Sequence, residues 1–486
     1  VLRPETQRLL TRSLPKPSEA VRIGWLAVGA ALLGYLFVYG LGTWGYMDAR
    51  AGRAVYFPLC AGLGTVGLLG WAAGAFDGPL MARARKALVA LLCVVGWCGL
   101  QTIPIPNAIV TIINPAWGPV LASMERTGLE VPTRIPLALS PERAADGWHL
   151  LLAATAAFAG MLAMAARGGW RFLAGVVMLL AIAEGLLGLG NFLAQPGSRA
   201  YGGIYNPNHH AALTLCGLPV AIAMLWNRHE RLRETLGEGL FSGRDVGLLG
   251  VGAVAAASAG WVASASRGSL VFGAPFLLLW TLYEWRLLRR AEAAEFGEDQ
   301  PTRWMESLLL GLVMIPTVAI VALLAGGDQF IARVDGSKSE LFSDAGRVAQ
   351  SLATLSGWAE TNWMGLGIGG TEAAISRFLD MPLVYSPIHT HCDWLQFSAE
   401  VGLPGLLLLA AALIPLGRSF LPAHRLLTTC DPADARIRRA AAAGLATLLG
   451  HALVDFHLRI PLIAIAALLL LALALVPPPA PDSETD

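Results

Sequence analysis

The residues of this chain that could do chemistry are few and lie far apart. The densest set is "HTHCDWLQFSAEVGLPGL" at 389–406, where His389, His391 and Asp393 alternate before a long apolar stretch. A histidine has an ordinary pKa of about 6.5, so a neutral His391 could take a proton from an attacking hydroxyl near neutral pH. If extended, His389, His391 and Asp393 would share one face, as metal ligands do; on a helix they would splay apart. "SASRGSL" puts Arg267 between two apolar stretches with almost no loop, where a cation is costly unless it reaches headgroups or grips an anion. A guanidinium grips a phosphate through two parallel bonds, and Arg347, opening "RVAQSLATLSGWAE", is the second candidate for a diphosphate clamp. "GGIYNPNHHAA" at 202–212 offers the amides of Asn206 and Asn208 and an Asn-Pro turn. Asn208 suits a helix N-cap, with His209 in the first turn. Glu184 lies inside an apolar stretch and needs a proton or a partner on a neighbouring helix. His451 and Asp455 are spaced i, i+4, with His457 and Arg459 just beyond. The expectation there is a helix-end brace, Asp455 pairing with Arg459 or His451.

The elements that must position these groups are membrane helices. The 486 residues are 55% hydrophobic and 14% charged, against about 25% charged in a soluble domain. The net charge of +1 says little about partners; where the charges sit says more, and no nucleic-acid partner is expected. Spans need about 20 mostly apolar residues, and about twelve such stretches are present. They lie near 21–42, 54–76, 87–106, 149–165, 172–194, 209–226, 247–265, 268–285, 305–326, 396–416, 440–456 and 460–477. Continuous apolar runs favour helices over barrel strands, which alternate. The expected fold is all-α and polytopic: a tail at 1–20, one transmembrane domain at 21–477, and a disordered proline-rich tail at 478–486. The polar first twenty residues do not resemble a cleavable signal.

Arginine clusters set the orientation. Arg83 and Arg85, Arg167 and Arg171, Arg228 to Arg244, Arg286 to Arg290 and Arg436 to Arg439 all fall on one side of a twelve-span chain. The positive-inside rule makes that side cytoplasmic. Asn206, Asn208, Arg267, Arg347, His391 and Arg459 then share the outer face. Two long outer loops are expected, 107–147 and 327–395. In the second, Val348, Leu352, Leu355 and Ala359 recur at helical spacing, with Ser343 or Asp344 as cap. A second short helix follows, capped by Thr371, so that the loop folds over the membrane face. "GLGIGG" formally matches a dinucleotide pattern, but no strand precedes it; a flexible turn between two helices is the reading. Six cysteines, four of them in apolar spans, imply no disulfide framework.

In order and spacing these motifs resemble the O-antigen ligase and polymerase superfamily of bacterial inner-membrane glycosyltransferases. The likeness runs over roughly 140–475. "HTHCDWLQFSAEVGLPGL" is similar to that family's outer-loop histidine motif, and "SASRGS" to its arginine–glycine reversal. "GGIYNPNHHA" resembles its asparagine-rich turn, and "HALVDFHLRIPLIAI" the C-terminal span of many members. The resemblance implies a GT-C-like fold and a helical periplasmic loop between spans 9 and 10. It also implies metal-independent transfer without a cofactor, from an undecaprenyl-diphosphate-linked glycan to lipid A–core or another glycan acceptor. Arg267 and Arg347 would bind the diphosphate and His391 would act as base, with Asn206, Asn208, His209, His389, Asp393 and Arg459 in support. Cys392 stands where members often carry asparagine, and Trp363 and Met364 stand where the turn often has proline. These departures touch the acceptor, so a polymerase joining lipid-linked repeats is the alternative to a ligase. A transporter would need midplane polar groups and internal repeats; only Glu184 leans that way.

Overall fold

The computed structural model describes residues 49–77, 81–195, 198–235, 243–296, 346–379, 389–426 and 432–476. The expected spans at 21–42 and 305–326, both tails, and Ser343 and Asp344 lie outside them. Within them the chain is mostly helical. In order come α1 Ala49–Ala72, α2 Ala82–Gln101, α3 Asn107–Ile113, α4 Trp117–Arg126, α5 Pro141–Met164, α6 Trp170–Ala194 and α7 Pro207–Thr235. Then follow α8 Gly243–Ala263, α9 Ala274–Phe296, α10 Arg347–Glu360, α11 Thr371–Phe378, α12 Asp393–Leu426, α13 Pro432–His451 and α14 Pro461–Leu475. A two-residue antiparallel pair, β1 Ile105–Pro106 with β2 Arg134–Ile135, ties off the loop that carries α3 and α4. Four stretches are long and apolar enough to cross a membrane: Ala84–Gln101, Pro141–Ala194, Pro207–Arg228 and Asp393–Ala411. The second is α5 and α6 joined through a turn in which Gly168 has φ +87°, a conformation glycine reaches without strain.

Small residues let these helices approach closely, as apolar solvent gives no hydrophobic reward for packing. Gly64, Gly67 and Gly70 of α1 seat against Ala156, Gly160 and Ala163 of α5. Gly185 of α6 meets Ala257 of α8, and Gly444 of α13 lies on the backbone of Cys216 in α7. α7 and α13 therefore run through the centre of the bundle. One end of it is ionic: Arg171 to Asp434 at 3.0 Å, Arg439 to Glu284 at 2.5 and 2.8 Å, and Arg436 to the Asn227 amide oxygen at 2.7 Å. Arg436 and Arg438, read from sequence as loop charges, are buried inside α13. The other end of the same two helices holds His209 and His451.

The helices α10 and α11, within the segment 327–395, differ from expectation. Val348, Leu352 and Leu355 are exposed, while α10 buries Gln350, Ala353, Thr354, Gly357 and Trp358. Gly357 packs directly on Ala374 of α11, so closeness of approach selected the inward face, and small residues took it. The caps differ too. Gly346 and Gly370 occupy the N-cap positions, and the Thr371 hydroxyl instead donates to Glu400 Oε1 at 2.9 Å. The glycine turn between them is pinned rather than flexible. Leu366 N donates to Ala399 O and Gly367 N to Glu400 O, with Gly365, Gly367 and Gly369 all at positive φ.

Candidate active site

The site is built on the polar break 450–459 between α13 and α14. Val454 O accepts a bond from Arg347 Nη1 at 2.6 Å. A Cβ added to Gly268 would lie 3.0 Å from Val454 Cγ2 and 2.7 Å from His451 Nε2, so the turn bearing Arg267 rests on the same residues. The Arg347 side chain and the turn that bears Arg267, eighty residues apart in sequence, thus meet at Val454. The next residue, Asp455, is buried and receives two histidines: His391 Nδ1 at 3.6 Å and His209 Nε2 at 3.8 Å from the same Oδ1. Phe456 is the common floor. His389 stacks on it at 4.3 Å, and His391 and His209 meet it edge-on at 4.8 and 4.9 Å.

The pairing expected of Asp455 is therefore corrected. Its close partners are two histidines, from α7 and from the segment before α12, while His451 acts on it through charge alone. Arg459 goes elsewhere: Nη1 lies 2.7 Å from Glu400 Oε2, and Nε 3.6 Å from Asp393 Oδ1. Asp393 also accepts from Leu458 N at 2.8 Å, and its own N–H reaches Ala452 O and Asp455 O. These bonds clamp the histidine segment onto the 450–459 break from both sides. His391 has φ +53°, an uncommon conformation for a residue with a Cβ, and the clamp holds it there. His389, His391 and Asp393 share no ligand face, since they turn to Gln396, to Asp455 and to Arg459.

Electrostatics separate the two alternating histidines. Burial, helped by the Arg459 charge, pushes the His389 imidazole down to about 3, so it is neutral at any working pH. Its ring bonds Gln396, which in turn donates to Glu400. Burial alone would raise Asp455, but its contacts to His209 and His391 outweigh that and hold it well below the usual carboxylate range. His391 is about a third exposed, with Nδ1 toward the carboxylate and Nε2 on the opposite edge of the ring.

The asparagine turn is corrected in detail. Asn206, not Asn208, caps α7: its Oδ1 accepts from Asn208 N at 2.8 Å across Pro207. The Asn208 amide oxygen accepts from Arg199 Nη2 at 2.7 Å. Glu184 has a partner on the neighbouring helix. Its carboxylate takes bonds from Gly203 N, Ile204 N and His210 Nδ1 at 3.0, 3.3 and 3.1 Å, and so anchors the turn that leads into His209. Sequence reasoning missed Arg199 and Glu400, and misassigned Asp455. The available signal for Asp455 was its place in a polar break between two apolar stretches.

No curated protein and no solved structure matches this chain. The family model Wzy_C, described as O-antigen ligase, matches residues 252–410, a stretch containing Arg267, Arg347 and His391 and ending before Asp455. Over these residues, about a third of the chain, the protein is similar to the O-antigen ligase family.

Proposed function

We propose that the chain is an O-antigen ligase-type glycosyltransferase that moves a glycan from undecaprenyl diphosphate to a hydroxyl of lipid A–core or a similar acceptor. It does so on the periplasmic face of the bacterial inner membrane, without metal. The observation that carries this reading is the convergence on residues 454–455 of the Arg347 bond, the Gly268 contact beside Arg267 and the His391–Asp455 pair. His391 Nε2 takes the proton of the acceptor hydroxyl. The hydroxyl oxygen attacks the anomeric carbon, and the bond from that carbon to the diphosphate oxygen breaks with its electron pair leaving on the diphosphate. One displacement inverts the anomeric centre. Arg267 and Arg347 stabilise the negative charge that grows on the leaving group; the bond to Val454 O uses one of five guanidinium N–H donors on Arg347. Asp455, ionised beside His391 and His209, stabilises the imidazolium that forms. Asn206, Asn208, Asp393, His389 and Arg459 hold the frame.

Transfer by the purified protein from a synthetic undecaprenyl-diphosphate-linked oligosaccharide tests the reading. Product on lipid A–core, undiminished by chelator, is expected. Product only on a second lipid-linked repeat makes the enzyme a polymerase, and chelator-sensitive transfer restored by a divalent ion removes the metal-free mechanism.

A further inference from the structure

We propose that Arg199 is a positioning residue that clasps the turn carrying Arg267 against the asparagine turn; its role in donor binding rests on the function proposed above, its role in the turn does not. Arg199 lies in the link between α6 and α7. Its Nε donates to Ser264 O at 2.7 Å, and its Nη2 to Asn208 Oδ1 at 2.7 Å and to Ala265 O at 3.5 Å. One guanidinium thus ties the end of α8 to the first turn of α7. The neighbouring backbone continues the joint, since Ala200 N donates to Ala263 O at 3.0 Å.

The turn needs holding. Ala265 has φ +48°, a left-handed conformation that a residue with a Cβ adopts at a cost. On its inner side the turn is stitched by Ser264, Ser266 and Ser269, with Trp261 Nε1 donating to Ser269 Oγ at 3.0 Å. On its far side Gly268 is seated on His451. Arg199 supplies the remaining side, and it reaches the carbonyls of the two residues that make the reversal. The fork geometry matters, because the bonds leave guanidinium nitrogens in one plane toward two different segments. The link bearing Arg199 is itself fixed, by Asn191 Nδ2 to Tyr201 O at 2.6 Å and by the Glu184 carboxylate below it. Any loosening of Arg199 therefore falls on the Arg267 turn.

Hydrogen exchange on the purified protein in detergent, without ligand, reads the clasp directly. In Arg199→Gln the peptide spanning 262–270 is expected to exchange faster, while peptides from α2 do not change; Arg377→Gln serves as a surface-arginine control. Unchanged exchange at 262–270 overturns the proposal whatever the site binds. Binding of farnesyl diphosphate, with farnesol as control, reads the consequence. Arg199→Gln should weaken it about tenfold, and should weaken it no further in an Arg267→Ala background. Full additivity would make Arg199 a separate ligand contact and overturn positioning. If wild-type protein ignores the probe while exchange responds as expected, the diphosphate site fails and the clasp stands. Arg199→Lys, which keeps the charge but not the fork, takes the place of the glutamine variant if that does not insert, with accelerated exchange again expected.

Discussion

At the scale of single residues, the two alternating histidines have different assignments for physical reasons. His391 is about a third exposed and faces an ionised carboxylate; His389 is stacked, bonded and held neutral. His391→Ala is expected to lower transfer by about a hundred- to ten-thousandfold, the usual weight of general base catalysis, with diphosphate binding retained. His389→Ala is expected to cost much less. Equal losses in initial-rate assays of the two variants would sink the assignment. His389 also predicts a pH dependence. Its folded-state value of about 3 lies below the ordinary 6.5, so between these limits the unfolded chain binds a proton that the folded chain refuses. Stability therefore rises with pH across this window and declines as pH falls from about 6.5 toward about 3. Thermal midpoints in detergent at pH 7.5 and pH 5 measure it, and His389→Gln should flatten the difference.

At the scale of elements, the turns matter more than the helices they join. Gly268 has an ordinary helical backbone, so alanine there is forbidden by space alone: its Cβ would press on the His451 ring and Val454. Gly268→Ala should impair transfer while the protein still inserts, and normal rates would show that the Arg267 turn has room to shift. The Glu184 anchor is expected to be structural. Glu184→Leu strands two backbone N–H groups and His210 away from water, at a cost of about 3 kcal/mol or more, so loss of detergent stability should precede any kinetic defect. Membrane-helix periodicity was legible in the sequence: most apolar stretches within the described residues are helices close to the expected places. The burial face of α10 was not legible. Sequence places apolar residues inward by the rule for soluble proteins, whereas here Gly357 and Trp358 meet α11 and α12 while Leu352 and Leu355 face out.

At the scale of the whole molecule, the polar residues divide between the two ends of α7 and α13. One end has Arg171, Arg436 and Arg439 with acidic or amide partners; the other has the histidines, Asp455 and Arg347. Impermeant thiol reagents test which end faces out. In a background with Cys93 and Cys392 replaced, a cysteine at the exposed Tyr205 should react from outside in intact cells, and one at the exposed Arg286 should not. The reverse labelling would put the histidine end in the cytoplasm and remove a periplasmic transfer reaction.

Composition and periodicity were enough to establish a helical membrane protein, because a chain surrounded by lipid must satisfy its backbone bonds internally and so writes long apolar runs into its sequence. Residue type alone singled out His391, Arg267 and Arg347, since few charged or titratable groups survive next to such runs without a use. The partners of these residues were decided by tertiary structure. Asp455 looks toward Arg459 and His451 along the chain, yet the bundle brings it two histidines from 64 and 246 positions away, while Arg459 turns to Glu400 and Asp393. Asn208 looks like a cap and is the acceptor for Arg199. Local spacing carries the energy of neighbours along a helix, a few tenths of a kcal/mol. A buried charge stranded by packing costs several, so packing chooses the pairs.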